Sequence, residues 1–449
     1  MNQRTLIRNA DVITMEDACG EIRGCDILID NGAIVRVAPD IASSHGPSCE
    51  GAAVVDASGM IALPGLIDAH NCIWQTVLRG YVPDLWTGNY FTRLLPLRRY
   101  FQPVDNFNSG CVGGHEMLSY GTTTVVDYCH NIRAPGYADA AIEGLRESGI
   151  RHVFTYSFMS ELPDAFDSEA ARFADARRVF ERFDDPGSRT TVNFGIESIG
   201  TANVAGQLAF ARALGAASCI HLNARGDVAA LDDQGLLGPD LLGIHGNLLT
   251  DEELRRMARS AMPLCFTPSA DVQGTPADVV RRAAEHGVPV VFGCDVPCHV
   301  ASDPLMQLRV MYAVQGFIDG LTARAREEVT GRRPAVRPGM PLLRPADLIR
   351  RATIGCAQVL GMADRIGSLK AGKRADIVLV RKGLFGDSIA DDLCAHLLLQ
   401  TSAREIDTVF VDGQALLSGG RLLNHDAGRT AQRVSQSRAA IFAAARNGA

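Results

Sequence analysis

The 449-residue sequence predicts an α/β fold: a (β/α)8 barrel joined to a small β-sandwich built from both termini. Three observations point there. Strand-like and helix-like segments alternate through the middle of the chain, as in a series of βα units. Both ends carry short strands. And the stretch Pro64-Gly65-Leu66-Ile67-Asp68-Ala69-His70-Asn71-Cys72-Ile73-Trp74-Gln75 opens the alternating region with an apolar strand ending in chemistry-bearing side chains.

Taken in order, residues 1–60 read as strands over 5–13, 26–30 and 33–37, with Asn31-Gly32 as a hairpin turn. Segments 375–380 and 407–414 have the same character near the other end. The plainer reading is two separate β-rich ends; the sharper one is a single sandwich. Between them, strand candidates lie at 122–129, 152–157, 191–196, 217–222, 241–245, 262–266 and 289–295, with helices such as 137–148, 251–260 and 277–286. With the strand ending near His70 these make eight βα units, the count of a barrel, although a doubly wound sheet also alternates. Residues 319–345 are Arg- and Pro-rich and read as a surface insertion or linker, and the stretch around 437–442 as a solvated terminal helix. The expected division is 1–60 for the first part of the sandwich and 61–345 for the barrel. Residues 346–425 then complete both, and 426–449 form the terminal helix.

Hydrophobic content of 47% and charged content of 21% are those of an ordinary globular enzyme. A net charge of −7 argues against a nucleic-acid partner. No run of 18 apolar residues and no charged-then-apolar leader is present, so the expectation is a cytoplasmic protein without a membrane partner. The 12 cysteines are scattered without a CxxC pair, which fits a reduced setting better than a disulfide framework. Lysine is rare: Lys370, Lys373 and Lys382 stand against 41 arginines.

His70 and Cys72 lie two apart, so on a strand their side chains share a wall. Imidazole and thiolate both bind zinc-like metals, and such a pair is half of a tetrahedral site. Alone it is weak evidence.

Further motifs strengthen it. They are Leu78-Arg79-Gly80, Gly121-Thr122-Thr123-Thr124-Val125, Ile244-His245-Gly246-Asn247, Phe292-Gly293-Cys294-Asp295, and above all Leu360-Gly361-Met362-Ala363-Asp364 leading to Gly367-Ser368-Leu369-Lys370-Ala371-Gly372. Together these make the chain resemble the amidohydrolase superfamily, in its branch of triazine- and guanine-type aminohydrolases, over almost its whole length. The resemblance implies a distorted TIM barrel beside a sandwich made from both termini. It implies one divalent metal, zinc first and iron second, at the C-terminal mouth of the barrel, where it makes hydroxide available at neutral pH. The implied metal ligands are His70, Cys72, His221 and Asp295. The implied catalytic groups are Asp295, His245 and His221, with Asp295 moving the water's proton and His245 polarising the substrate. Trp74, Gln75, Arg79 and His130 are candidates for substrate binding. A plainer alternative exists for each: a core role for His221, a cap for Asp295 or His130, a turn for His245, and packing for Trp74, Gln75 and Arg79.

Two positions depart from the pattern. Cys72 stands where most relatives carry a second histidine. Ala224 stands three residues after His221, where ring-deaminating relatives carry a glutamate that protonates the ring; Arg225 and Asp227 are the nearby substitutes. The barrel region holds no lysine, which excludes a lysine-bridged two-metal site. Cys294, Cys298 and His299 flank Asp295 and read either as a nucleophilic cluster or, by default, as small buried groups.

The leading expectation is hydrolysis of a C–N bond (amide, lactam, amidine or amine) in a small cyclic or heteroaromatic substrate, by a homo-oligomer. Cys72 and Ala224 keep open a site without metal. The alternative is thus a metal-independent dehydration, cyclisation, isomerisation or decarboxylation in a specialised biosynthetic pathway. An inactive ligand-binding barrel ranks last.

Overall fold

The computed structural model describes residues 4–17, 20–43, 49–159, 166–196, 199, 203–273, 278–331, 343–384 and 392–447, without the side chains of 86 and 322–330. Eight parallel strands follow one another in chain order: β1 (Leu66–Asn71), β2 (Thr122–Cys129), β3 (Arg151–Ser157), β4 (Thr190–Ile196), β5 (Ser218–Leu222), β6 (Leu241–His245), β7 (Leu264–Phe266) and β8 (Val290–Phe292). Each pairs with its neighbour in parallel. β2 and β3 are buried at every residue, as expected of parallel strands covered by helices outside and side chains inside.

The sheet closes just beyond the last strand. Asp295 N donates to His70 O at 2.9 Å, and Cys72 N donates to Asp295 O at 2.6 Å, so the first and last strands meet at a seam. Gly293 permits the approach: a Cβ there would lie 2.5 Å from His70 O and 2.8 Å from His70 N. β7 and β8 start later than the sequence reading because Pro263 and Pro289 have no N–H to give the ladder. Their carbonyls still accept, from Gly243 N and Leu264 N. β8 stops at Phe292 because the chain then turns to the seam, with Asp295 at φ +64°.

Helices pack outside the strands. Asp251–Arg259 shows why they form: Thr250 and Glu253 make a capping box, acidic residues fill the first turn, and Arg256 and Arg259 fill the last.

Both termini build a second sheet of nine strands. Its path runs from Arg421–Leu422 through Gln414–Ser418, Ile406–Val411, Ile377–Arg381, Met60–Pro64, Arg4–Ile13 and Glu21–Asp30 to Ala33–Ala38, with Ala53–Asp56 beside Arg4–Ile13. Ile377–Arg381 pairs antiparallel with Met60–Pro64, so the two ends are interleaved and not separate. The sheet curls on itself: Ile34 N donates to Lys373 O and Ala375 N to Gly32 O, both at 2.8 Å. The space between holds its own apolar core, including Ile7, Val12, Ile27, Ile377 and Phe410. Arg151, at the start of β3, ties this unit to the barrel by bonding Asp376 at 2.8 and 3.1 Å and Asp412 at 2.6 Å.

Two expectations need correction. The stretch 319–345 is not one insertion: it begins inside the 27-residue helix Pro304–Thr330 and ends at the helix Pro345–Arg351, while 332–342 lie outside the described residues. The terminal helix Ala427–Asn447 is not wholly solvated. Ser437 and Ile441, one turn apart, are buried, and Asn108 of the helix Pro103–Ser119 donates to Ser437 Oγ at 3.0 Å. Among the described residues no helix is long and apolar enough to cross a membrane.

Candidate active site

The barrel seam delivers the site. His70 ends β1, Cys72 follows two residues on, and Asp295 follows β8; all three are buried. His70 Nε2 lies 3.3 Å from Asp295 Oδ1, and Cys72 Sγ lies 3.9 Å from His70 Nε2 and 3.7 Å from Asp295 Oδ1. Asp295 has φ +64° and His245 φ +71°, a backbone region that non-glycine residues enter at a cost and that clusters at functional sites.

His221 ends β5 and His245 ends β6. Their rings lie 5.2 Å apart by centroid, and His221 is equally far from His70, with the Tyr128 ring edge-on to it at 4.6 Å. His221 is therefore at the mouth beside the trio. Its ring nitrogens lie outside the His70, Cys72 and Asp295 donor atoms, which all sit within 4.8 Å of one another.

The electrostatics divide these groups by role. Burial works to raise the Asp295 carboxyl, but the hydrogen bond from His70 and the charge of His245 outweigh it and hold it far below the usual carboxylate range. Burial and the neighbouring histidines push His221 well down, so its ring is neutral. Burial also opposes charge on His245, yet Asp271 lies 3.0 Å from its Nδ1 and raises it to about 9, making it an imidazolium. Asp271 is itself fixed by Thr267 N at 2.7 Å, Thr267 Oγ1 at 2.9 Å and Asn247 Nδ2 at 2.8 Å. Burial, reinforced by the Asp295 and Asp127 charges, pushes the Cys72 thiol well up.

These groups open on a cavity of 430 Å³. Its lining is mixed, with Cys72, His130, His221, His245, Asp271 and Asp295 polar and Leu85, Phe91, Leu95, Met159, Ile196 and Leu248 apolar. A larger cleft lies around Pro263, Pro289 and Arg351, at the opposite end of the strands and away from this chemistry.

Three of the four expected substrate residues do not reach the wall. Trp74 and Gln75 are fully buried behind it, Trp74 edge-on to Phe101 and His130, because the turn Ile73–Leu78 folds inward. Arg79 faces away and pairs with Glu116. His130 does line the cavity. Ala224 and Arg225 are exposed, and Asp227 turns back to accept from Ala224 N at 2.9 Å. None lines the cavity, so among the described residues neither Arg225 nor Asp227 takes the place of the absent glutamate.

The Cys294, Cys298 and His299 grouping forms no nucleophile. Both thiols are buried and pushed up by burial, while His299 bonds Val82 O at 3.0 Å and Gln273 at 2.6 Å. Sequence reasoning missed Tyr90, Tyr128 and Asp271. Tyr128 shares strand parity with His130, a signal that was available. Asp271 follows Thr267-Pro268 after β7, where strand-end carboxylates are worth noting.

The donor set suits a metal. Bonds of about 2.0–2.3 Å in a tetrahedron give edges of about 3.3–3.8 Å, close to the three separations observed. His70 Nδ1, buried and without a partner among the described residues, leaves Nε2 as the functional nitrogen.

Comparison with known proteins agrees with this architecture. Residues 61–416 match the amidohydrolase family, and the chain belongs to it. It is accordingly a hydrolase of carbon–nitrogen bonds. Among curated relatives, a 5-methylthioadenosine/S-adenosylhomocysteine deaminase from Desulforudis audaxviator is 29% identical across 97% of this chain and 100% of its own. A hydroxydechloroatrazine ethylaminohydrolase from Pseudomonas sp. (strain ADP) is 28% identical, over 82% of this chain and 81% of its own. Among solved structures, a zinc-bound adenosine deaminase from Xanthomonas campestris superposes with a TM-score of 0.81 at 21% identity, covering 98% of both chains. Zinc-bound atrazine chlorohydrolase from Arthrobacter aurescens TC1 gives 0.78 at 22%, over 97% of this chain and all of its own.

Proposed function

We propose that the chain hydrolyses a C–N bond of a small cyclic or heteroaromatic molecule, using one divalent metal, zinc foremost, held by His70, Cys72 and Asp295 with His221 beside them. The observation that carries this is the convergence of those three buried donors, 3.3–3.9 Å apart. When bound, the metal lowers the pKa of a coordinated water and supplies hydroxide.

The protein's own groups then have distinct tasks. Asp295, held ionised, takes the proton of the attacking water at a carboxylate oxygen and returns it to the departing nitrogen. His245, charged and fixed by Asp271, donates a hydrogen bond from Nε2 to the substrate atom that gains negative charge. The apolar part of the lining excludes water and packs against the ring of the substrate.

Ala224 decides among substrates. With no carboxyl at that corner to protonate a ring nitrogen, the site favours amides, lactams and amidines, whose charge His245 and Asp295 can serve alone.

Elemental mass spectrometry of the wild type and Cys72→Ala, with turnover of a panel of cyclic amides, amidines and amino-heterocycles, tests the proposal. About one zinc or iron per chain, lost in the variant, supports it. A metal-free protein that gains no activity with added metal overturns it.

A further inference from the structure

We propose that Gln75, Tyr90 and His130 form a one-way hydrogen-bond relay ending in an N–H···S bond to the Cys72 thiolate, which sets how much charge that sulfur donates. The inference rests on the ligand role of Cys72 proposed above. Gln75 Nε2 lies 3.0 Å from Tyr90 OH, Tyr90 OH lies 3.2 Å from His130 Nε2, and His130 Nδ1 lies 3.7 Å from Cys72 Sγ. Neither Gln75 nor Tyr90 has an assigned part in the reaction.

The direction of the relay follows from donor and acceptor chemistry. A ligating cysteine is a thiolate, which only accepts. His130 must then carry its proton on Nδ1, and a neutral ring leaves Nε2 to accept. Among the described residues the hydrogen aimed at Nε2 is that of Tyr90, whose oxygen in turn accepts from the Gln75 amide. Metal binding releases the Cys72 proton, while His130 keeps its own.

The surroundings hold this chain in place. The Trp74 ring stands edge-on to His130 at 5.1 Å and fixes the imidazole plane. Gln75 and Cys72 are fully buried, His130 nearly so and Tyr90 partly, and burial strengthens the bonds between them. Tyr90 sits at the start of a π-turn, Tyr90–Leu94, a backbone form frequent at functional sites. The terminal N–H draws charge off the sulfur and offsets the extra negative charge that a thiolate brings to a site already holding Asp295. Gln75, Tyr90 and His130 are in this sense positioning residues.

The test uses the cobalt(II)-loaded full-length protein and its sulfur-to-cobalt charge-transfer band, together with His130→Phe and Tyr90→Phe. Loss of the donor makes sulfur richer in charge, so the band moves to longer wavelength in His130→Phe and by a smaller amount in Tyr90→Phe. The double variant moves no further than His130→Phe. Tyr90→Phe removes a single oxygen and keeps the test open if His130→Phe does not fold. A band present in the wild type and unmoved in the folded variants overturns the relay alone. Absence of a thiolate band from the wild type overturns the ligand role of Cys72, and the relay with it.

Discussion

Asp295 and His70 are joined twice, by a backbone hydrogen bond of 2.9 Å and by a side-chain contact of 3.3 Å. The first closes the barrel and the second builds the site. Asp295→Asn keeps the left-handed backbone that asparagine tolerates well, so the fold survives while the proton acceptor is lost. Activity should fall by about 10²–10⁴-fold in a protein that still melts cooperatively, as read by steady-state kinetics beside a melting curve.

Asp271 acts through His245. Replacing it with asparagine keeps the shape but removes the charge that raises His245 to about 9. The expected result is a fall in kcat of about 10²-fold or more with KM little changed, since the bond from His245 strengthens as charge develops. A variant that alters KM alone would show Asp271 to be only a pocket wall.

Gly293→Ala tests the seam by steric means. The new Cβ would meet His70 backbone atoms at 2.5 and 2.8 Å, and backbone cannot swing aside. A loss of about 1–3 kcal/mol in urea unfolding is expected, together with reduced metal content.

Arg151 is buried between Asp376 and Asp412, and its removal strands the buried Asp376, while Asp412 keeps Arg189 and Arg374. Arg151→Ala should cost about 3–5 kcal/mol in the same assay.

Acid stability follows from the same cluster and from His152. Burial pushes His152 down to about 4, so between its ordinary 6.5 and 4 the unfolded chain binds a proton that the native state refuses. Its contribution is whole above 6.5 and is lost as pH falls through that window. Burial works to raise Asp412, but Arg151 and Arg374 outweigh it and bring it down to about 2. Its contribution is whole above the ordinary 3.8 and disappears as pH falls towards 2. Thermal midpoints should therefore drop in two stages, with the lower stage reduced in Arg151→Ala, where Arg374 still holds Asp412.

Much of this was legible in the sequence. β2 and β6 fall on the residues that alternation marks, and His70, Cys72 and Asp295 meet because barrel strands present their ends at one mouth. What was not legible depends on direction. Trp74 and Gln75 sit next to Cys72 in the chain, yet their turn folds them behind the wall, Trp74 against His130 and Gln75 against Tyr90. Tyr90 comes from a loop without periodicity, so no pattern announces that its hydroxyl reaches a histidine 40 positions away.

The seam also bears on the order of folding. Cys72 and Asp295 are 223 residues apart along the chain, so the donor set is incomplete until the last strand has docked on the first. Ordering that long a loop is slow and comes late. A cation that prefers the finished donor set would act as a latch on the closed ring, adding stability by mass action only to chains that have completed it.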